Sequence, residues 1–161
     1  MFPELLRDGV WHTTSVERFG RILETGFILP NPQIPDSERW STACEPHYVR
    51  SIGGVSVFDF TKFDEVTYSE NYPNSHWRFF VPCFNKWDVA VWIELNPELI
   101  KEGFIDGNTL IERWKQQGDY RRIMPRIEAA HIGPVPIAAF RRVLKFNTQT
   151  QKFTQLPLPQ L

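Results

Sequence analysis

The run from Val10 to Gly26 constrains this chain most, because a strand pattern passes directly into a short amphipathic helix. The strand pattern, Val10-Trp11-His12-Thr13-Thr14-Ser15, ends in a histidine and two hydroxyls. Thr14 and Glu17 have the spacing of a capping box, and Gly26 is typical of a helix end. The apolar face of the helix consists of Val16, Phe19, Ile22 and Leu23. This arrangement predicts a strand end at which His12 either holds a polar ligand or is a satisfied structural histidine.

Length and composition predict one globular domain. A chain of 161 residues suffices for one core of ordinary size, so we expect a single domain over 1–161. Its hydrophobic content of 42% and aromatic content of 14% exclude disorder, and a net charge of −1 argues against a broad nucleic-acid footprint. Without a long apolar run or a leader pattern, a cytoplasmic protein that needs no membrane is expected. Cys44 and Cys83 are expected to be reduced thiols.

The rest of the chain alternates short elements with turns. The proline-rich segment 28–46 predicts a long irregular loop, which either folds over a ligand or is plain surface. Gly53 and Gly54 open a strand that runs to Phe60. Aromatic and β-branched residues predict two adjacent central strands over 77–84 and 88–95. Further predicted elements are helices over 96–103 and 108–117, strands over 126–132 and 140–146, a turn over 134–137 and an edge strand after 153.

Several of these pieces stand in an order that resembles the ADP-ribosyltransferase superfamily. They are His12-Thr13-Thr14, the helix end Ile22–Phe27, the strand entry Gly54-Val55-Ser56, the lone Glu128, and the turn Pro136–Phe140. The resemblance spans about residues 10 to 146. It is strongest to the histidine-containing branch, which includes poly-ADP-ribose polymerases, RNA phosphotransferases that use NAD, and DNA-modifying toxins. Where the polymerases have a tyrosine that stacks on nicotinamide, this chain has Ser56, as in the arginine-serine-glutamate branch.

The resemblance implies a fold and an activity. The fold is α+β, with two small, mostly antiparallel sheets around an NAD-binding cleft and helices outside. The activity is transfer of ADP-ribose from NAD, as co-substrate, to a macromolecular acceptor (protein, DNA or RNA) with release of nicotinamide. Such small transferases resemble bacterial or phage toxins and defence proteins, for which an inhibitor or antitoxin protein is a possible partner.

Within this resemblance each candidate residue has a role. Glu128 and Ser56 are the catalytic candidates, since a carboxylate near the ribose stabilises the oxocarbenium character that develops as nicotinamide leaves. His12 is expected to donate to a ribose hydroxyl and Thr13 to add a second contact. Forked guanidinium donors suit the pyrophosphate. The full set of expected NAD-binding residues is His12, Thr13, Thr14, Gly54, Arg50, Arg39 and Tyr48.

Three alternatives stay open at this point. Glu128 can pair with Arg126 or Arg122 at a sheet edge and have no chemical role. The fold can serve as a non-catalytic module that binds NAD, another nucleotide or a protein. The chain can also be an unrelated α+β enzyme in which His12 and Glu128 lie far apart, for instance on opposite sides of the sheet. His131 is left out of the site, because strand alternation places it on the face opposite Glu128.

Overall fold

The structure, a computed structural model, describes residues 1–33, 35, 47–82 and 87–160. Within these residues nine strands form a seven-stranded sheet and a two-stranded sheet, and every pairing is antiparallel. The strands are β1 (Val10–Ser15), β2 (Phe27–Ile28), β3 (Gly54–Asp59), β4 (Val89–Leu95), β5 (Phe104–Ile105), β6 (Glu128–Ile132), β7 (Val135–Pro136), β8 (Phe140–Asn147) and β9 (Lys152–Leu156). The large sheet has the order β5-β6-β3-β1-β4-β8-β9, and β2 pairs with β7.

Short helices connect the strands. They are α1 (Val16–Thr25), α2 (Tyr48–Ser51), α3 (Glu65–Asn71), α4 (Pro97–Ile100) and α5 (Gly107–Gln117). Side-chain oxygens of Ser15, Asp64, Asn96 and Asp106 cap four of them by accepting a backbone N–H of the first turn. Single 3₁₀ turns lie at Glu4–Leu6, Trp77–Phe79 and Ile137–Ala139. No described helix has the length and apolar character needed to cross a membrane.

The large sheet is covered on both faces, which follows from the alternation of side chains along each strand. One face carries an aromatic cluster that includes Trp11, Phe58 and Trp92. The other carries an aliphatic cluster that includes Val57 and Ile93. The sheet is therefore a buried central layer, and a polar group within it needs a specific partner.

Most of the expected elements are confirmed. The α+β class, the mostly antiparallel sheets, the strands over 88–95 and 140–146 and the helices that begin near 97 and 108 all agree with the structure. The edge strand is also confirmed, as β9. However, the strands do not divide into two small sheets, because seven of them share one continuous ladder and only β2 and β7 form a second.

Three local expectations are wrong. Thr14 does not cap α1: β1 continues through Ser15, whose hydroxyl accepts from the Arg18 N–H, because Thr14 is buried and paired with Val91. The described part of 77–84 is no strand but a 3₁₀ turn that buries Trp77. Aromatic content indicates burial, and a single turn can bury an aromatic ring as well as a strand can. The expected turn at 134–137 contains β7.

The centre of the large sheet contains a gap that positions the site. In the described chain, β1 and β3 pair only at Val10 with Asp59 and at Trp11 with Phe58. The other side of β1 follows β4 over all of Trp11 to Ser15. Beyond Trp11 the two central strands therefore separate, and a cleft opens between the end of β1 and the beginning of β3.

Candidate functional site

A cavity of about 380 Å³ fills this cleft. Its volume lies within the range of about 300–1,000 Å³ that is typical of small-molecule sites. Most of the wall is apolar and comes from α1 and the segment that follows it. The polar part contains His12, Thr13, His47, Arg50, Ser56 and Glu128. The cavity thus combines an apolar surface with a few polar groups that converge on one point, as ligand sites commonly do.

Glu128 is the most strongly held of these polar groups. It is the first residue of β6, lies opposite Phe58 of β3 and is fully buried. Its Oε1 accepts from the Ser56 hydroxyl at 2.9 Å, and its Oε2 accepts from the Met124 N–H at 2.9 Å. Hydrogen bonds to a charged acceptor offset the cost of burying it.

Glu128 does not pair with the arginines that sequence analysis offered as partners. The guanidinium of Arg126 lies 3.5 Å from the carboxylate of Asp59 instead. Arg122 forms no ion pair with Glu128 among the described residues. The simple sheet-edge ion pair is therefore the wrong explanation of Glu128.

Ser56 connects Glu128 with His12. While its hydroxyl donates to the carboxylate, its backbone carbonyl lies 3.0 Å from Nδ1 of His12. Strand alternation directs His12 and Glu128 to opposite faces of the sheet, but both line the same cavity because β1 and β3 have separated there. The opposite faces agree with the third alternative, an unrelated α+β enzyme, whereas the shared cavity and the contacts through Ser56 bring the two residues together.

His12 is neutral at physiological pH. Its pKa is lowered from 6.5 to about 4, mainly by burial and to a smaller extent by Arg18, while the hydrogen bond to Ser56 acts in the opposite direction. A carbonyl can only accept, so Nδ1 carries the proton and Nε2 holds a lone pair. The expectation that His12 donates to a ligand hydroxyl is thus corrected: its remaining nitrogen is an acceptor.

Thr13, Thr14 and Gly54 also line the cavity. The hydroxyl of Thr13 is buried and has no hydrogen-bond partner among the described residues, which leaves a polar atom that a ligand can satisfy. Gly54 has a packing role, because a Cβ there would lie 2.9 Å from Cγ1 and 3.0 Å from the carbonyl oxygen of Val49. Glycine thus lets α2 pack closely against β3.

Three arginines make the cavity cationic. Arg50, from α2, lines it and donates to the side-chain oxygen of Asn31. Arg18 and Arg21, which sequence analysis missed, line it from α1. Arg21 also donates to Glu17 at 2.7 Å. Arg18 and Arg21 could have been predicted as cavity residues from their position in the first turns of α1, which directly follows the strand that carries His12. Arg39 lies outside the described residues, as do Cys44 and Cys83.

Tyr48 does not take part, whereas its neighbour His47 does. The Tyr48 ring is fully buried, its hydroxyl donates to Gln117 at 2.7 Å, and it is absent from the described cavity lining. His47 lies in that lining, with Nδ1 3.3 Å from Oε1 of Glu128 but not aligned for a hydrogen bond. The contact with Glu128 raises the pKa of His47, against the effects of burial and of Arg122.

His47 follows the proline-rich segment 28–46, which has no periodic pattern, so the sequence indicated a residue suited to folding over a ligand but no individual role for it. Within the described chain, no cluster of three or more histidine, cysteine or acidic residues could hold a metal ion.

Comparison with protein-family models and with curated proteins finds no match for this chain. Any functional assignment therefore depends on the chemistry of the cleft and on the resemblance of its motifs.

Proposed function

We propose that this protein is an NAD-dependent ADP-ribosyltransferase that moves ADP-ribose to a macromolecular acceptor and releases nicotinamide. The observation that supports this most is the Ser56 bridge, which brings a buried carboxylate, Glu128, and a neutral histidine, His12, to one cavity. These are the outer two motifs of the family resemblance, joined through the middle one. The acceptor class (protein, DNA or RNA), a cytoplasmic location and an inhibitor or antitoxin partner belong to the proposal through that resemblance.

The cavity suits the parts of NAD. Arg18, Arg21 and Arg50 supply positive charge for the pyrophosphate, and a guanidinium has five donors, so a bond such as that from Arg50 to Asn31 uses only part of its capacity. The lone pair on His12 can accept from a ribose hydroxyl. The unpartnered hydroxyl of Thr13 offers a second polar contact. The apolar wall suits an aromatic ring.

The chemistry assigns one step to the buried carboxylate. The bond between the ribose C1′ and the nicotinamide nitrogen breaks with its electron pair leaving on nicotinamide, and the acceptor's nucleophile then bonds to C1′ and loses its proton. Positive charge develops on the ribose in between. Because Glu128 is buried away from water, its negative charge stabilises the positively charged ribose of the transition state more than a solvated carboxylate would.

A direct experiment is incubation of the protein with labelled NAD and, separately, cell-extract protein, DNA and RNA. We expect nicotinamide release and label on one acceptor class, both lost in Glu128→Gln. Glu94→Gln is the matched control, because Glu94 is also a buried glutamate but bonds Arg142 away from the cavity. If wild-type protein neither binds NAD nor releases nicotinamide, the proposed function is wrong.

One observation favours the second candidate, a non-catalytic module that binds NAD, another nucleotide or a protein. Both carboxylate oxygens of Glu128 already have hydrogen-bond partners, as in a purely structural carboxylate. This reading requires that wild-type protein bind NAD without turnover. It also requires Glu128→Gln to leave that affinity unchanged.

A further inference from the structure

We infer that His47 is a positioning residue for Glu128: its imidazolium holds the carboxylate in place at the cavity during transfer. The inference rests on the proposed function and extends it to a residue that the family resemblance does not include. Nδ1 of His47 lies 3.3 Å from Oε1 of Glu128.

The two oxygens of Glu128 are held unequally. Oε2 accepts from the backbone N–H of Met124, four residues earlier in the same segment, so its position follows the backbone. Oε1 accepts only from a serine hydroxyl, that of Ser56, which can rotate. His47 approaches this second oxygen. When protonated, it therefore attracts the side of the carboxylate that the backbone does not hold.

Charge gives His47 a further role. Glu128 has no exposed surface, and Arg126, the basic residue nearest to it in sequence, is turned toward Asp59. Burying a carboxylate is costly unless hydrogen-bond donors or positive charge face it. A protonated His47 places positive charge 3.3 Å from Oε1.

The fold keeps His47 in this position. His47 is the residue before α2, and its carbonyl accepts the Ser51 N–H that closes the helix turn. The helix in turn packs on β3 at Gly54, where Val49 would contact any added Cβ. The close packing of α2 on β3 at Gly54 therefore supports the position of the helix that His47 precedes.

The groups that face His47 make the pH dependence explicit. Glu128 of β6 favours the protonated form of His47, and Arg122 disfavours it. Ser56 of β3 contributes only an uncharged hydroxyl. Arg50 of α2 and the neutral His12 of β1 line the same cavity. Since the pKa of His47 is raised in the folded protein, the positioning effect is present at low pH. It weakens as the pH rises through that raised pKa.

The test compares His47→Asn and His47→Ala with the unaltered protein, using nicotinamide release and a separate measurement of NAD affinity by calorimetry. Asn keeps a donor near the position of Nδ1 but does not titrate. We expect His47→Ala to reduce kcat about 10- to 100-fold, as misplacement of a reacting group does, with NAD affinity changed less than about threefold. His47→Asn should recover part of the rate and lack the decline at higher pH. His76→Asn is the matched control, since His76 lies outside the cavity lining.

A second measurement needs no turnover. The chain has four histidines, so the His47 ring can be assigned by NMR and titrated. Its pKa should exceed that of an ordinary histidine and fall in Glu128→Gln. If wild-type protein is active but His47→Ala retains its rate and pH profile, or the His47 pKa is unchanged in Glu128→Gln, the inference fails and the proposed function stands. If wild-type protein neither binds NAD nor releases nicotinamide, both fail.

Discussion

Replacing Glu128 by Gln separates chemistry from folding, because the variant can keep most of the local contacts. The amide oxygen can accept from the Met124 N–H as Oε2 does now. The amide NH₂ then faces the Ser56 hydroxyl, which can turn from donor to acceptor. The attraction to His47 at 3.3 Å is lost with the negative charge. The Met124 N–H and the Ser56 oxygen therefore keep partners, while the second N–H of the glutamine amide gains no acceptor from these groups.

The magnitudes follow from this count. Hydrogen bonds to a charged group contribute about 1.5–3 kcal/mol and neutral ones about 0.5–1.5. Because Glu128 accepts two such bonds, neutralising it should lower the free energy of unfolding by about 2–3 kcal/mol. Loss of a preorganised charge at the reacting centre should cost about 2.7–4 kcal/mol in the transition state, which is a reduction in kcat of about 10²–10³-fold. NAD affinity should change less than about threefold, since this interaction belongs to the transition state.

Three assays check these figures: chromatographic measurement of nicotinamide release, calorimetric titration with NAD, and urea denaturation. Glu128→Ala is the contrast, because it leaves the Met124 N–H unpaired and a cavity at a fully buried position, and it should destabilise the fold more than Glu128→Gln does. A Glu128→Gln variant that releases nicotinamide at more than a tenth of the wild-type rate would refute the reasoning, even if its stability changed as expected.

Other sites yield further expected outcomes. The unfolded chain protonates His12 below pH 6.5 but the folded protein only near pH 4, so the free energy of unfolding should fall between these values, by about 3 kcal/mol in urea titrations; His12→Asn should lack this decline. Gly54→Ala should destabilise by about 1–3 kcal/mol in thermal unfolding because its Cβ meets Val49, and Val49→Ala should partly rescue it. Asp59→Asn should lower stability in urea by about 2–4 kcal/mol, since it removes the carboxylate that faces Arg126 in a buried site; a loss under 0.5 kcal/mol would contradict this.

Several elements could be predicted because local rules govern them. Gly26 ends α1 in the left-handed conformation, and Asn96 with Pro97 begins α4, as their residue types indicate. The start of α1 was harder, since both Thr14 and Ser15 are good caps. Ser15 is the cap because pairing with β4 extends β1 by two residues and buries Thr14. A long-range strand contact thereby overrode a local capping signal.

Some residues of the site were also predicted from local patterns, whereas others depend on tertiary contacts. His12, Ser56 and Glu128 were identified from motif order, yet their link through one serine depends on strand register, which no local pattern reports. Tyr48 looked like a ligand-covering aromatic residue, but the packing of α2 turns its ring into the core. His47, one position earlier, points into the cavity.

By itself, the sequence determined the α+β class, the positions of most helices and strands, and a short set of candidates headed by Glu128 and His12. Capping, turn and alternation patterns are local, and they act over a few residues. Only the tertiary structure decided that β1 and β3 separate beyond Trp11, that Ser56 bridges the two candidates, and that His47 joins them. Those features depend on which residues, more than forty positions apart, share a sheet and a cavity, and burial there sets the protonation of His12.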